Sequence, residues 1–163
     1  MADAARKRGT GIAKRSPGYL TQKILEGKAV IAIHDKEPVG FCYIESWEHN
    51  RFVANSGLIV HEDFRHTGLA RRIKKQILEL SEKTFPEAKV FGITTSAAVM
   101  KINSQLGYKP VTFEELTDDE TFWKGCNGCV NVDILQRTNR KYCLCTAMLY
   151  DPAVKTPTKQ SEI

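Results

Sequence analysis

The stretch Leu58 to Ile77, "LIVHEDFRHTGLARRIKKQI", changes its period in the middle. It leaves an apolar run, crosses the polar turn His61 to Arg65, and continues behind Gly68 with apolar residues at Leu69, Ile73, Ile77 and Leu80. Spacings of four, four and three make one buried stripe, so a strand hands over to a helix running from Gly68 to about Lys83. Arg71, Arg72, Lys74, Lys75 and Glu82 are expected on its other faces. A helix N-terminus offers unpaired N–H groups and about half a positive charge. Gly68 lets the backbone approach a ligand closely, and Arg65 with the four basic residues of the helix surrounds the turn. A diphosphate fits there. An ordinary solvated basic helix start has the same spacing, and spacing alone leaves both readings open.

Working outward, "PGYLTQKILEG" (Pro17 to Gly27) reads as a short helix, with Pro17 at its start, Leu20 and Ile24 on one face, and Gly27 at its end. "KAVIAIHD" (Lys28 to Asp35) reads as a buried strand, and "EPVGFCYIESW" (Glu37 to Trp47) as its hairpin partner across a turn at Asp35-Lys36. "FVANSGLIVH" (Phe52 to His61) is a third strand, with Gly57 marking a bulge or a close backbone approach. After the central helix come a strand at Lys89 to Ser96, a short helix closed by Gly107, and a short strand at Lys109 to Phe113. An acidic, partly helical insertion of about 114–140 follows, and the last strand is Lys141 to Asp151. Hairpin strands followed by alternation with helices predict an α/β fold built on one mixed sheet with flanking helices. The domain is expected over 10–151, between a basic tail of 1–9 and a C-terminal tail of 152–163.

The length of 163 residues suits one domain. With 42% hydrophobic and 26% charged residues the chain is globular rather than disordered, and no apolar run reaches the ~20 residues of a membrane span. The N-terminus lacks the apolar stretch of a secretory signal. Its five Lys/Arg in fifteen residues leave a mitochondrial presequence open, against which stand Asp3 and the glycines, and a cytoplasmic protein is the default expectation. The net charge of +5 suits an anionic partner, either nucleic acid or a polyphosphate cofactor.

Arg65-His66-Thr67-Gly68-Leu69-Ala70 resembles the R/Q-x-x-G-x-G/A signature of GNAT-type acyl-CoA N-acyltransferases, and it stands directly after a strand and opens a helix. The resemblance extends from about Gly18 to Asp151. It implies a mostly antiparallel central sheet, and acetyl-CoA or another acyl-CoA such as succinyl-CoA as co-substrate. It implies that N–H groups of His66, Thr67, Gly68, Leu69, Ala70 and Arg71 hold the pyrophosphate beside Arg65. It also implies that Leu58, Ile59 and Val60 are splayed from the neighbouring strand and pair with pantetheine.

The second half is similar to the acyltransferase domain of N-acetylglutamate synthases, through Val60 to Arg65, Thr94-Thr95, Gly107 to Val111 and Arg140-Lys141. This implies an amino acid as acceptor, bound by Thr94, Thr95 and Arg140, with Arg140 pairing its carboxylate. A surface arginine at a strand start is the plainer reading of Arg140. The chain departs from the pattern in three places. The family's usual first strand is missing, so that "RKRGTGIAKR" opens the domain or a partner supplies the edge. Asn103 stands where many members carry a tyrosine acid, and Ala54, Asn55 and Ser56 stand where the synthases carry a glutamate. Direct attack by an amine needs a base, for which Glu45 is the first candidate and His61 the second, and an acid for the thiolate, for which Tyr108 and Tyr142 are candidates. Each of these has an equally ordinary structural reading.

Five cysteines in a chain read as intracellular do not predict a disulfide framework. Cys126-x-x-Cys129 and Cys143-x-Cys145 suggest a four-thiolate zinc site, the second pair on one face of the last strand, or else free core thiols or a redox pair. The leading expectation is an N-acyltransferase for a small amine such as the α-amino group of glutamate. Alternatives are a protein or peptide N-acetyltransferase, a CoA-binding module without turnover, and a zinc-bearing nucleic-acid module, which lacks basic–aromatic interleaving. A homo-oligomer is left open.

Overall fold

A computed structural model describes residues 15–154. The two expected tails, 1–9 and most of 152–163, lie outside the described residues, as does most of the segment expected to open the domain. Helix α1 (Pro17–Leu25) starts on a Ser16 side chain that accepts from the Tyr19 N–H, and Gly27 ends the turn after it with a φ of +69°. Leu20 of its apolar face is half-buried. Ile24 and Leu25 are exposed, and the residue α1 buries is Lys23.

Strands β1 (Ala29–His34) and β2 (Glu37–Trp47) form the predicted hairpin, with Asp35 and Lys36 both at positive φ, as a two-residue primed turn requires. β3 (Phe52–Val60) returns antiparallel to β2 with a register shift opposite Phe41–Tyr43, where Gly57 sits at φ +67°. The chain then passes through a 3-10 turn (Glu62–Phe64) into α2 (Leu69–Thr84), crosses to β4 (Lys89–Thr94), and runs through α3 (Ala97–Gln105) to the short β5 (Lys109–Val111). The insertion folds as α4 (Glu120–Lys124), a 3-10 turn and α5 (Val132–Arg137). The last strand, β6, covers only Thr146–Tyr150.

The sheet order is β1-β2-β3-β4-β6-β5, antiparallel at every step except the parallel β3–β4 pair. Among the described residues it begins at β1, whose edge exposes Ile31 and Ile33. On one face α2 buries Leu69, Ile73, Ile77 and Leu78 against Val39, Cys42, Ile44, Val53, Val90 and Met148, with Met100 and Leu106 of the α3 region beside them. Gly40 makes that contact close. A Cβ there would come within 2.5 Å of the Ile73 Cδ1. The opposite face carries the insertion, with Phe113, Leu116, Trp123 and Leu135 over Phe52, Ala54, Phe91 and Ala147. Alternation along β3 divides these faces, Val53 toward α2 and Phe52 and Ala54 toward the insertion.

Three expectations need correction. β1 is not the buried strand expected but an edge of the sheet, with Ile31 and Ile33 exposed and none of its residues fully buried. Lys74 is not on a solvated face of α2 but 2% exposed, in the row of Leu78 and Ser81. Cys143 and Cys145 precede β6 instead of lying on it. The reason is local. The chain reaches the sheet edge only at Thr146, which pairs with Thr94, and Thr138 Oγ1 ties the Tyr142 backbone back to the insertion.

Candidate active site

The parallel ladder between β3 and β4 is short. Phe52, Val53 and Ala54 pair with Lys89, Val90 and Phe91, and there it stops. From Asn55 onward the ladder of β3 runs with β2 alone, and Gly92 to Thr94 pair with β6 alone. Both strands therefore turn unpaired edges toward the gap between them. The Asn55 carbonyl still lies 3.7 Å from where a Gly92 Cβ would stand, which marks the head of the cleft. Leu58, Ile59 and Val60 carry β3 on from there, Ile59 and Val60 paired with Phe41 and Gly40 of β2.

The open end of the cleft leads to the turn before α2. Gly68 is the N-cap, at φ +82°, and no side chain caps the helix. The first-turn N–H groups of Leu69, Ala70 and Arg71 have no intrahelical acceptor. His66 is also left-handed, at φ +63°. The Thr67 hydroxyl donates to the Phe64 carbonyl at 2.6 Å and holds the turn shut on itself, while Arg65 Nε reaches the Val60 carbonyl at 3.4 Å. His66, Thr67, Gly68 and Arg71 are exposed. The cluster is thus a set of outward N–H groups with basic side chains around it. Of the basic residues, Lys74 is withdrawn into the core.

The four candidate acid–base residues do not form one group. Glu45 is on β2 opposite Ala54, level with the head of the cleft and on the face away from α2. Its Oε2 accepts from the Tyr19 hydroxyl and is ion-paired with the buried Lys23, which leaves Oε1 uncommitted. Burial and the Glu45 hydrogen bond raise the pKa of Tyr19. Arg15 donates to the Tyr43 hydroxyl at 3.1 Å beside the same group and lies over the Tyr19 ring. Tyr108 is at the same level on the other face, 2% exposed, with its hydroxyl donating to Asn55 Oδ1 at 2.6 Å. His61 is seven residues along from Ala54, on the order of 20 Å away. It is half exposed and faces Asp63 at 3.6 Å. Tyr142 is 69% exposed on the insertion side.

Thr94 ends β4 and Thr95 follows it, and Thr94 Oγ1 accepts from the Ser96 N–H at 3.0 Å. Arg140, at φ +63°, is held by the insertion: it pairs with Glu120 at 2.8 Å and lies over Trp123. Asn103 is 1% exposed, its amide nitrogen 3.7 Å from the Met148 sulfur and its Oδ1 without a partner.

The four cysteines of the insertion side are near enough to influence one another, and all are free thiols. Burial first, then Cys143, pushes the Cys145 thiol up to about 12. The zinc site is not upheld: no group of three or more His, Cys, Asp or Glu among the described residues could hold a metal ion. The groups that sequence reasoning passed over are Lys23, Tyr19 and Arg15 around Glu45, and Lys74 with Asn55. The usable signal for Lys74 was its row. Residues 74, 78 and 81 recur at spacings of four and three, and Leu78 is apolar.

The acetyltransferase (GNAT) family model matches residues 3–98, more than half of the 163-residue chain. The chain belongs to this family. It is by class an acyl-CoA-dependent N-acetyltransferase. No curated protein matches it. Among solved structures, N-acetylglutamate synthase from Neisseria gonorrhoeae, complexed with coenzyme A and N-acetyl-glutamate, superposes with a TM-score of 0.65 at 16% identity over 91% of this chain. The chain spans only 30% of that synthase's length. Rv2747 from Mycobacterium tuberculosis, in complex with CoA, matches at a TM-score of 0.61 and 13% identity, over 86% of this chain and 84% of its own. Ribosomal-protein-alanine N-acetyltransferase from Brucella melitensis matches at 0.56 and 12%, over 82% and 75%. In this GNAT chain no described helix is long and apolar enough to cross a membrane.

Proposed function

We propose that this acetyltransferase moves an acetyl group from acetyl-CoA to the amino group of a small molecule, most readily the α-amino group of an amino acid such as glutamate. The observation that carries this reading is the end of the β3–β4 ladder at Ala54 and Phe91, followed by an uncapped helix start at Gly68. The thioester arm lies along Leu58 to Val60, and the pyrophosphate meets the N–H groups of His66 to Arg71. Glu45 stands on the opposite face of the sheet at the cleft head, with a free Oε1 to take the amine proton directly or through one water. Lys23, paired with Glu45, and Arg15, which donates to the Tyr43 hydroxyl, bring two cationic side chains to that face, which favours an acceptor carrying carboxylates. Arg140 is the carboxylate clamp of the proposal, and Glu120 holds its place until the acceptor arrives. The synthase from Neisseria, with its bound N-acetyl-glutamate, supports glutamate as the first acceptor to try.

The test is thiol release from acetyl-CoA and succinyl-CoA against the twenty amino acids, with a parallel panel of peptides. Turnover with an acidic amino acid is expected. Turnover confined to peptide N-termini would move the acceptor to the protein class, for which exposed Val130, Tyr142 and Leu144 offer an apolar wall. Thermal stabilisation by CoA without turnover on any acceptor would leave a binding module.

A further inference from the structure

Lys74 lies deep inside the domain with no carboxylate to answer it. Its Nζ donates to Asn55 Oδ1 at 3.1 Å and lies 5.1 Å from the centroid of the Tyr108 ring, and no ion pair reaches it among the described residues. An ammonium held this way is expensive, and buried lysines are rare unless paired. The groups that face it are few. Cys42 comes from β2, with its thiol pushed up to about 11 by burial. Asn55 comes from β3, and its amide nitrogen donates to Ser81 Oγ at 3.2 Å. Tyr108 follows α3. Glu82, further along α2, accepts from the Tyr150 hydroxyl at 2.6 Å.

Its place gives the charge a use. Asn55 is the first residue past the last β3–β4 pair, so the ammonium hangs beneath the head of the cleft, on the face of α2 and α3. Two side chains on that face among the described residues are not placed to protonate a leaving thiolate. Asn103 is an amide, and the Tyr108 hydroxyl is already given to Asn55. We propose that Lys74 is a positioning residue for the donor half of the reaction: its fixed positive charge under the cleft head stabilises the thiolate that departs from the acyl thioester. The inference rests on the reading of the cleft as the acyl-CoA site. In the step, the acceptor nitrogen bonds to the carbonyl carbon, the C–S bond breaks, and its electron pair leaves on sulfur. The amine proton goes to Glu45 or water, and Lys74 keeps its own protons. A preset charge in a water-poor site acts on a developing anion without reorganising.

The experiment titrates the thiol of CoA bound to the full chain, by its ultraviolet thiolate absorbance, beside Lys74→Met and Lys74→Gln. The bound thiol is expected to ionise about one unit or more below free CoA in the wild type, and both variants should lose that shift while still binding CoA. Turnover at saturating acetyl-CoA should fall about tenfold, with the KM for acetyl-CoA unchanged. A wild-type thiol that titrates like free CoA overturns the inference, and so does a shift that survives in both variants. A shift kept by Lys74→Gln and lost by Lys74→Met also overturns it, because Gln can hold Asn55 but carries no charge. Failure of the wild-type chain to bind CoA would overturn the cleft assignment and the inference with it, an outcome distinct from the others.

Discussion

Among the described residues two lysines are buried, and their surroundings are opposite. Lys23, 6% exposed on α1, meets the Glu45 carboxylate, with the Tyr19 ring 5.0 Å away. Lys74, 2% exposed on α2, meets an amide oxygen and a tyrosine face. One sits on the insertion side of the sheet and the other on the α2 side, at nearly the same level of β3. A paired charge holds a second group in place at little net electrostatic gain, because desolvation offsets attraction. An unpaired one leaves its field available to whatever anion forms nearby. The difference teaches that burial alone does not define a lysine's role. What its ammonium faces does.

The comparison can be broken most severely at Glu45. Glu45→Gln leaves the buried Lys23 with only the Glu26 carboxylate, at 4.0 Å, so unfolding in urea should show a loss of up to roughly 3 kcal/mol. Turnover should fall about 100-fold as well if Glu45 is the base. A stability loss with unchanged turnover would confine Glu45 to holding Lys23. On the other side, Lys74→Met should make the protein more stable by about 1–4 kcal/mol at neutral pH, since the Tyr108 hydroxyl still satisfies Asn55 Oδ1. An equal or lower stability would mean that the ammonium is better compensated than its neighbours suggest. Gain of stability with loss of catalytic power is the pattern of a group kept for function.

The same substitution sharpens the contrast through pH. Burial lowers the pKa of Lys74 below its ordinary value, so the unfolded chain binds more protons across that window. Wild-type stability should therefore rise as pH climbs from the folded-state pKa toward ~10.4, the usual lysine value, and stay level below the folded-state pKa, where both states hold the proton. Chemical denaturation at a series of pH values should show that slope, and Lys74→Met should flatten it. A smaller effect is expected at Gly68, where φ is +82°. Gly68→Ala should cost about 1 kcal/mol in backbone strain and weaken CoA binding measured by calorimetry. Smallest in stability is Arg140→Ala, within about 0.5 kcal/mol because the Glu120 pair is partly solvated. Its readout is the acceptor KM, which should rise with CoA affinity intact. A parallel loss of CoA binding would remove Arg140 from the acceptor role.

Much of this was written locally. The Asp35-Lys36 turn, the bulge at Gly57 and the start of α2 at Gly68 each follow from a residue whose backbone preference acts within a few positions. A mixed sheet with flanking helices followed from the alternation of elements, but the strand order within it did not. Lys23 and Lys74 escaped because a basic residue within a helix is expected outward, and only the packed sheet shows which row of α1 or α2 meets it. Cys143-x-Cys145 looked like strand by alternation, yet the chain enters the sheet only at Thr146.

By itself, then, the sequence determined the helix start that faces the cleft mouth, because turn geometry and amphipathic period are short-range properties of the chain. Only the tertiary structure decided where β3 and β4 part, and which charged groups lie under that point. Those depend on strand register and on the direction from which α1 and α2 approach, contacts between residues as far apart as Asn55 and Tyr108 that no local pattern encodes.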